Sequence, residues 1–495
     1  MTLLNLLPGG QALSRKIIAS DRSDGIGSRL VSIANAMALA KRIGCRFGFT
    51  WNREPVTPTG FHTIDGVDRI FAASFISRYW LGETLDADAF PTLDFKVISR
   101  PVLKRAAASR RSIRGWRFVN LNSLSRFQDT PSFVDLFRQP GIDTAAAFSR
   151  IDFSDAIRSA TEAAVIRGTR PVAAIHLRSG DIVHGPHRKF KYVTKAIPSA
   201  LTKALVTQLT ADGCDVLLVG QDSATIEYLR RSTAAFAAED FGSGEFAPGT
   251  LREFFELSLL ARCRFLYAGR SQFAALATMM RGRPPDSMFD LMDWPTAAEL
   301  ILAELDLHEK EYHPLEAAFG YQWALSGLEP SLDPQITRRI LERARALDPG
   351  NESYVLKLAA TDFRAGRLAE GEALLRSLLE NELAAHQNKL PLMSLGIFSA
   401  VYGKGPFLTE EELNTVSASA RAGCVYAAIY CAYLYRHRRR RADREQAKTL
   451  AREFAEIVRS NGAGHLMDIV EALDPFAKNL PKFLRAIASC EAPPV

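Results

Sequence analysis

Residues 171–190 read PVAAIHLRSGDIVHGPHRKF, and the order of residue types in this stretch decides the fold class. Val172 to Ile175 is a short apolar run of the kind that forms a strand buried on both faces of a parallel sheet. It ends in His176-Leu177-Arg178-Ser179-Gly180-Asp181, where the period of two places His176 and Arg178 on one face of the strand end. Gly180 lets the backbone turn closely around a bound group. Open α/β sheets bind ligands outside the carboxyl ends of their strands, so these polar residues stand where a site is expected. Arg178 offers a planar fork of donors suited to a phosphate. It is the leading candidate for the site, with His176 and Asp181 beside it.

Downstream, the pattern predicts a helix over 198–212, a strand over 215–219, helices over 223–232 and 250–262, a strand over 264–268 and a helix over 272–280. Upstream, residues 16–51 read as one βαβ-like unit. Lys16 to Ser20 is a strand, Asp24-Gly25-Ile26-Gly27 a glycine-containing turn, and Ser28 to Ile43 a helix periodic in Leu30, Ile33, Ala34, Met37 and Ala40. Gly44 ends that helix, and Cys45 to Trp51 is the next strand. Residues 52–150 are less regular, with strands expected at Phe95–Ser99 and Trp116–Leu121; 151–170 read as a helix. Two alternating units in succession predict two Rossmann-like domains facing a cleft. After about residue 315 the strand patterns stop. An amphipathic segment from Ile336 to Leu347 leads into Asp348-Pro349-Gly350-Asn351, then a helix over 352–363, the turn Ala365-Gly366-Arg367 and a helix over 368–382. That order resembles a tetratricopeptide repeat of about 34 residues, and 383–495 reads as further helical hairpins. The expected boundaries are 1–160, 161–314 and 315–495.

The bulk properties set limits on partners. The 495 residues carry 62 basic against 55 acidic side chains, a net charge of +7. This mild excess favours anionic ligands or surfaces and is far from the signature of a nucleic-acid binder. The cysteines at 45, 214, 263, 424, 431 and 490 form no C-x-x-C pair, so reduced thiols and a cytoplasmic protein, peripheral to the inner face of a membrane at most, are expected. The segment MTLLNLLPGGQALSRK lacks a basic start and is broken by Pro8-Gly9-Gly10, unlike a signal peptide.

Four segments carry a family resemblance. Asp24 to Leu30 (DGIGSRL), opening a helix, resembles the first sugar-nucleotide loop of the fucosyltransferase-like GT-B glycosyltransferases. That class includes the bacterial nodulation and core α-1,6-fucosyltransferases and the protein O-fucosyltransferases. His176 to Asp181 resembles their H-x-R-x-G-D motif, and Val216 to Asp222 (VLLVGQD) is similar to their strand ending in an acid beside the nucleotide. Leu257 to Ala277 resembles their final motif, with Ser271-Gln272-Phe273 in the place of a Ser-Ser-Phe pattern and Gln272 a departure. The likeness spans roughly residues 16–300 and leaves the helical tail outside. It implies a GT-B fold, GDP-fucose as donor, and an inverting, metal-independent displacement with no resident cofactor. It also implies Arg178, His176 and Asp181 in the catalytic set, and Gly25, Gly27, Arg29, Arg178, Asp222, Ser271, Gln272 and Phe273 around the donor.

Several of these residues have two readings. Arg29 either reaches a phosphate or acceptor, or is the solvated end of a tight turn; Asp222 either meets the nucleoside or caps a helix. His176 either holds the loop, touches the nucleotide or transfers a proton, and no acid is an unambiguous general base, with Asp181 and Asp24 as guesses. His176, His184 and His187 crowd together without a cysteine and make a poor metal site, while Asp86-Ala-Asp88 follows no strand and is set aside. His187-Arg188-Lys189, with Lys191 and Lys195, either steers an anion or is a solvated loop. The run Arg436 to Arg441 either is solvated or meets anionic lipid headgroups. The expected acceptor is a glycan, a lipid-linked group or a protein, and the helical tail is a candidate surface for a protein partner. The alternatives are a related transferase using another nucleotide sugar and a non-catalytic nucleotide-binding scaffold.

Overall fold

The computed structural model describes residues 17–23, 25–52, 64–86, 113–115, 144–185, 188, 195–328, 332–387, 408–437 and 444–464. The chain begins with β1 (Ile17–Ser20), α1 (Ile26–Ile43) and β2 (Arg46–Phe49), followed by the short helices α2 (Val67–Ile70) and α3 (Ala73–Tyr79). Gly44 closes α1 with its N–H on the carbonyls of Ala40 and Lys41, the C-terminal stop its position predicts. Strand β3 (Ile113–Gly115) pairs with the other edge of β1, giving a parallel sheet in the order β2-β1-β3. The strands expected at Phe95–Ser99 and Trp116–Leu121 fall outside the described residues.

In place of one helix over 151–170 the chain forms α4 (Thr144–Phe148) and α5 (Asp155–Ala163), with Ser154 capping α5 through the N–H of Ile157. Residues 164–171 then run without regular structure. Gly168 there has φ near 138° and Pro171 follows, and neither fits a helix interior.

A second parallel sheet is built from β4 (Val172–Leu177), β5 (Asp215–Gly220), β6 (Phe236–Ala237) and β7 (Phe265–Ala268), in the order β6-β5-β4-β7. The chain winds outward from β4 through β5 to β6, then returns to place β7 on the opposite side of β4. That reversal is a topological switch point, with the two strands diverging beyond the pair His176 and Ala268. Between the strands lie α6 (Gly180–Val183), α7 (Ser199–Ala211), α8 (Ser223–Ser232) and α9 (Thr250–Arg262), and α10 (Gln272–Arg281) follows β7. All six residues of β4 are buried, in keeping with its continuous apolar run.

From there the described chain is helical: α11 (Trp294–His308), α12 (Pro314–Leu328), α13 (Pro334–Leu347), α14 (Ser353–Arg364), α15 (Leu368–Gln387), α16 (Glu410–Arg421), α17 (Val425–His437) and α18 (Arg444–Ser460). Among the described residues no helix is long and apolar enough to cross a membrane.

These elements group into two compact units. One contains the described residues up to Arg178, then 195–197 and 202–291, and so holds both sheets; the other contains 179–185, 188, 198–201 and 292–464. An apolar cluster runs through the first unit. It joins Leu30 and Ile33 of α1, Ala174 and Leu217 of the second sheet, and Leu276 and Ala277 of α10. An aromatic group of Phe49, Phe71, Phe75 and Phe153 is packed with ring centroids 5.0–6.0 Å apart. The helical unit has its own core around Leu356, Leu375, Leu413, Tyr430 and Phe454.

A candidate anion-binding site where two helices begin

The sequence supplies glycine at the first turn of α1 and a serine cap before α10, and the fold brings these two turns together. A Cβ on Gly27 would lie 2.9 Å from the backbone carbon and oxygen of Gln272 and from the Cα of Phe273. Only glycine permits this approach. Gly25 stands at the N-cap of α1, where its carbonyl accepts from the N–H groups of Ser28 and Arg29 at 3.0 and 3.2 Å. Ser271, buried, caps α10, and its Oγ accepts from the N–H groups of Phe273 and Ala274 at 3.1 and 3.3 Å. That leaves the amide of Gln272 as an orphan donor of the turn. Neither first turn contains an acidic residue. Two positive helix ends therefore meet without internal neutralisation, an arrangement that favours an anion.

His176 faces the same turn. Its ring stacks on Phe273 with centroids 5.3 Å apart and planes 22° apart. Burial, with a smaller contribution from the Arg178 charge, pushes its pKa down to about 3. The imidazole is therefore neutral across the physiological range. His176 Nδ1 and Gln272 Oε1 are buried without a hydrogen-bond partner among the described residues, and a bound group would supply what these atoms lack. Arg178 follows one residue after β4 and is partly buried.

Arg270, which the motif reading passed over, lies in the same turn after β7. It is about half buried, burial lowers its pKa, and it makes no hydrogen bond or ion pair with another described residue. A desolvated guanidinium in that state is a natural anion ligand. No sequence pattern announces this, because it depends on what is absent around the side chain.

Other candidates are engaged by their own chain. Arg29 is 1 % exposed. It donates at 2.8 Å to the carbonyls of Asn52 and Ser23 and lies over the Trp51 ring at 5.0 Å. Asp222 caps α8: Oδ1 accepts from the Thr225 N–H at 3.2 Å and Oδ2 from the Thr225 hydroxyl at 2.6 Å. Asp181 lies in α6, which belongs to the helical unit. Arg188 of the basic segment grips Asp348, with its Nε 3.0 and 3.1 Å from the two carboxylate oxygens. Asp24, Asp88, His187, Lys189, Lys191 and Arg438 to Arg441 fall outside the described residues.

No protein-family model matches the chain, and no curated protein matches it. Among solved structures, the chain is similar to the fucosyltransferase NodZ from Bradyrhizobium, at 16 % identity over 53 % of this chain and 91 % of that one, with a TM-score of 0.32. It is similar to Arabidopsis thaliana FUT1 in complex with GDP, at 12 % identity over 56 % and 72 %, TM-score 0.36. The corresponding values for POFUT1 in complex with GDP are 10 % identity, 55 %, 97 % and 0.30.

Proposed function

We propose that this protein is a glycosyltransferase of the fucosyltransferase-like GT-B class, with a nucleoside diphosphate sugar as donor and a tetratricopeptide-like helical region at its C-terminal end. The observation that carries the reading is the abutment of the first turns of α1 and α10 at Gly27 and Gln272. It joins the segments resembling the family's first and last motifs, at the switch-point edge where the His176 to Asp181 motif begins.

The chemistry follows from charge. Breaking the bond between the sugar and a nucleoside diphosphate leaves negative charge on the departing oxygen. Arg178, Arg270, the Gln272 amide and the two helix ends stabilise that charge as it develops, with no metal required. Gly25 and Gly27 let the backbone approach the donor; Ser271 and Phe273 shape the turn beneath it. His176, neutral, accepts or donates a hydrogen bond at the nucleotide and serves as neither phosphate cation nor strong base. Displacement inverts the sugar carbon: the acceptor oxygen forms its bond as the diphosphate leaves, and the acceptor proton passes to a base, for which Asp181 and Asp24 are the candidates. The donor, GDP-fucose by family resemblance, is assigned to residues 161–314, with Asp222 beside the nucleoside, and the hydroxyl acceptor to 1–160.

Calorimetric titration of the full chain with GDP, GDP-fucose, UDP and ADP, with and without EDTA, tests this. Selective GDP binding unaffected by EDTA is expected, and Arg178→Ala is expected to weaken it without unfolding the protein. Preference for UDP or ADP would change the donor; no binding to any of them would leave a non-catalytic scaffold as the better reading.

A further inference from the structure

The loop after Arg178 is held by helices that follow it far along the chain. His184 closes α6, and its Nε2 lies 3.0 Å from Oε1 of Glu316 in the first turn of α12, 132 residues away. The other Glu316 oxygen accepts from Ser199 Oγ at 2.9 Å. Glu316 is only 2 % exposed, and the ring of His313, just before α12, stacks on His184 at 4.5 Å. Four residues on from His184, Arg188 donates from Nε to both oxygens of buried Asp348 and from Nη1 to the carbonyl of Gly185 at 3.2 Å. Asn351 Nδ2 donates to the Arg188 carbonyl at 3.4 Å. Asp348 and Asn351 belong to the Asp-Pro-Gly-Asn turn that marks the helical repeat in the sequence. Buried carboxylates are costly to desolvate, and both of these are directed at one short loop.

We infer that Glu316 and Asp348 are positioning residues: the helical unit sets the conformation of residues 180–185 and 188, and donor binding by the segment that starts at Arg178 depends on it. The inference rests on the nucleotide-sugar reading. A loop held at two points loses less conformational freedom on binding, so its ligand affinity is higher.

The test uses the full chain with Asp348→Asn and Glu316→Gln, followed by hydrogen exchange and GDP calorimetry. The amides of Val183, His184 and Gly185, which bond to Ser179 and Gly180 carbonyls at 2.8–3.1 Å, are expected to exchange at least tenfold faster in either variant. Amides of β4 and α10 should be unchanged, and the Kd for GDP should rise about five- to tenfold. Arg188→Lys, which keeps the charge and loses the fork, should fall between Asp348→Asn and the wild type. If Asp348→Asn fails to fold, Glu316→Gln, close in shape and able to keep the Ser199 bond, decides alone. Unchanged loop exchange, or faster exchange with wild-type GDP affinity, overturns the positioning role. If the wild type binds no nucleotide the donor reading fails and the positioning role with it; the exchange data still report whether the loop is latched.

Discussion

The turn after β1 and the turn after β7 face each other, and each carries an arginine, yet the two guanidiniums are treated in opposite ways. Arg29 is enclosed: it donates to Ser23 and Asn52 and lies on Trp51. Arg270 is half buried and bonds no other described residue. One arginine builds its turn; the other spends no donor on a described residue. An arginine in a glycine-containing turn is therefore no guide to phosphate binding until its donors have been accounted for.

The largest effect that sharpens this contrast is expected at Arg29. Arg29→Ala removes the donors for two carbonyls and opens space beside Trp51. A loss of roughly 3 kcal/mol in urea unfolding is expected, with GDP affinity of the folded fraction little changed. Stability retained with GDP binding lost would reverse the assignment. Next comes Arg270→Met, which should lower GDP affinity by roughly 2 kcal/mol, the size of a charged hydrogen bond. It should leave the thermal midpoint level or slightly raised, because a desolvated charge has gone; Arg270→Lys should recover part of the binding. Gly27→Ala pushes the two helix starts apart and is expected to cost about 1–2 kcal/mol of stability together with a loss of GDP affinity. If the alanine is neutral in both measurements, the abutment is not what shapes the site. The smallest effect concerns acid. Below pH 6.5 the unfolded chain protonates His176 while the folded chain resists down to about 3. Its contribution is therefore full above pH 6.5 and falls away through that window, by at most about 1.4 kcal/mol per pH unit. His176→Phe should flatten the acid limb of the Tm against pH curve, and an unaltered slope would count against a buried neutral imidazole.

Much of the sheet architecture was legible because strong local signals agreed. The run Val172 to Ile175 gave β4, and helix α8 runs over the expected 223–232 with Asp222 as its cap. The start of α10 at Gln272 was visible in the same way, and so was the position of Arg178 at a strand end. What escaped detection depends on non-local contacts. Strand β6 is two residues long and exists through its pairing with β5. The contact of Gly27 with Gln272, the missing partners of Arg270 and the grip of Asp348 on Arg188 join segments that no local period connects. Glu316, a lone acid in the otherwise apolar run Leu315 to Ala318, was the one faint local sign of the loop anchor.

The separation between the loop and its anchors also bears on synthesis. Arg188 leaves the ribosome 160 residues before Asp348, and His184 leaves 132 residues before Glu316. At about 5–20 residues per second, the nascent chain waits roughly 7–32 s between making the loop and making the groups that fix it. The second parallel sheet is completed in that interval, so the loop is among the last parts of the protein to mature, and a chain stalled or cut before residue 316 would carry the motif without the means to hold it.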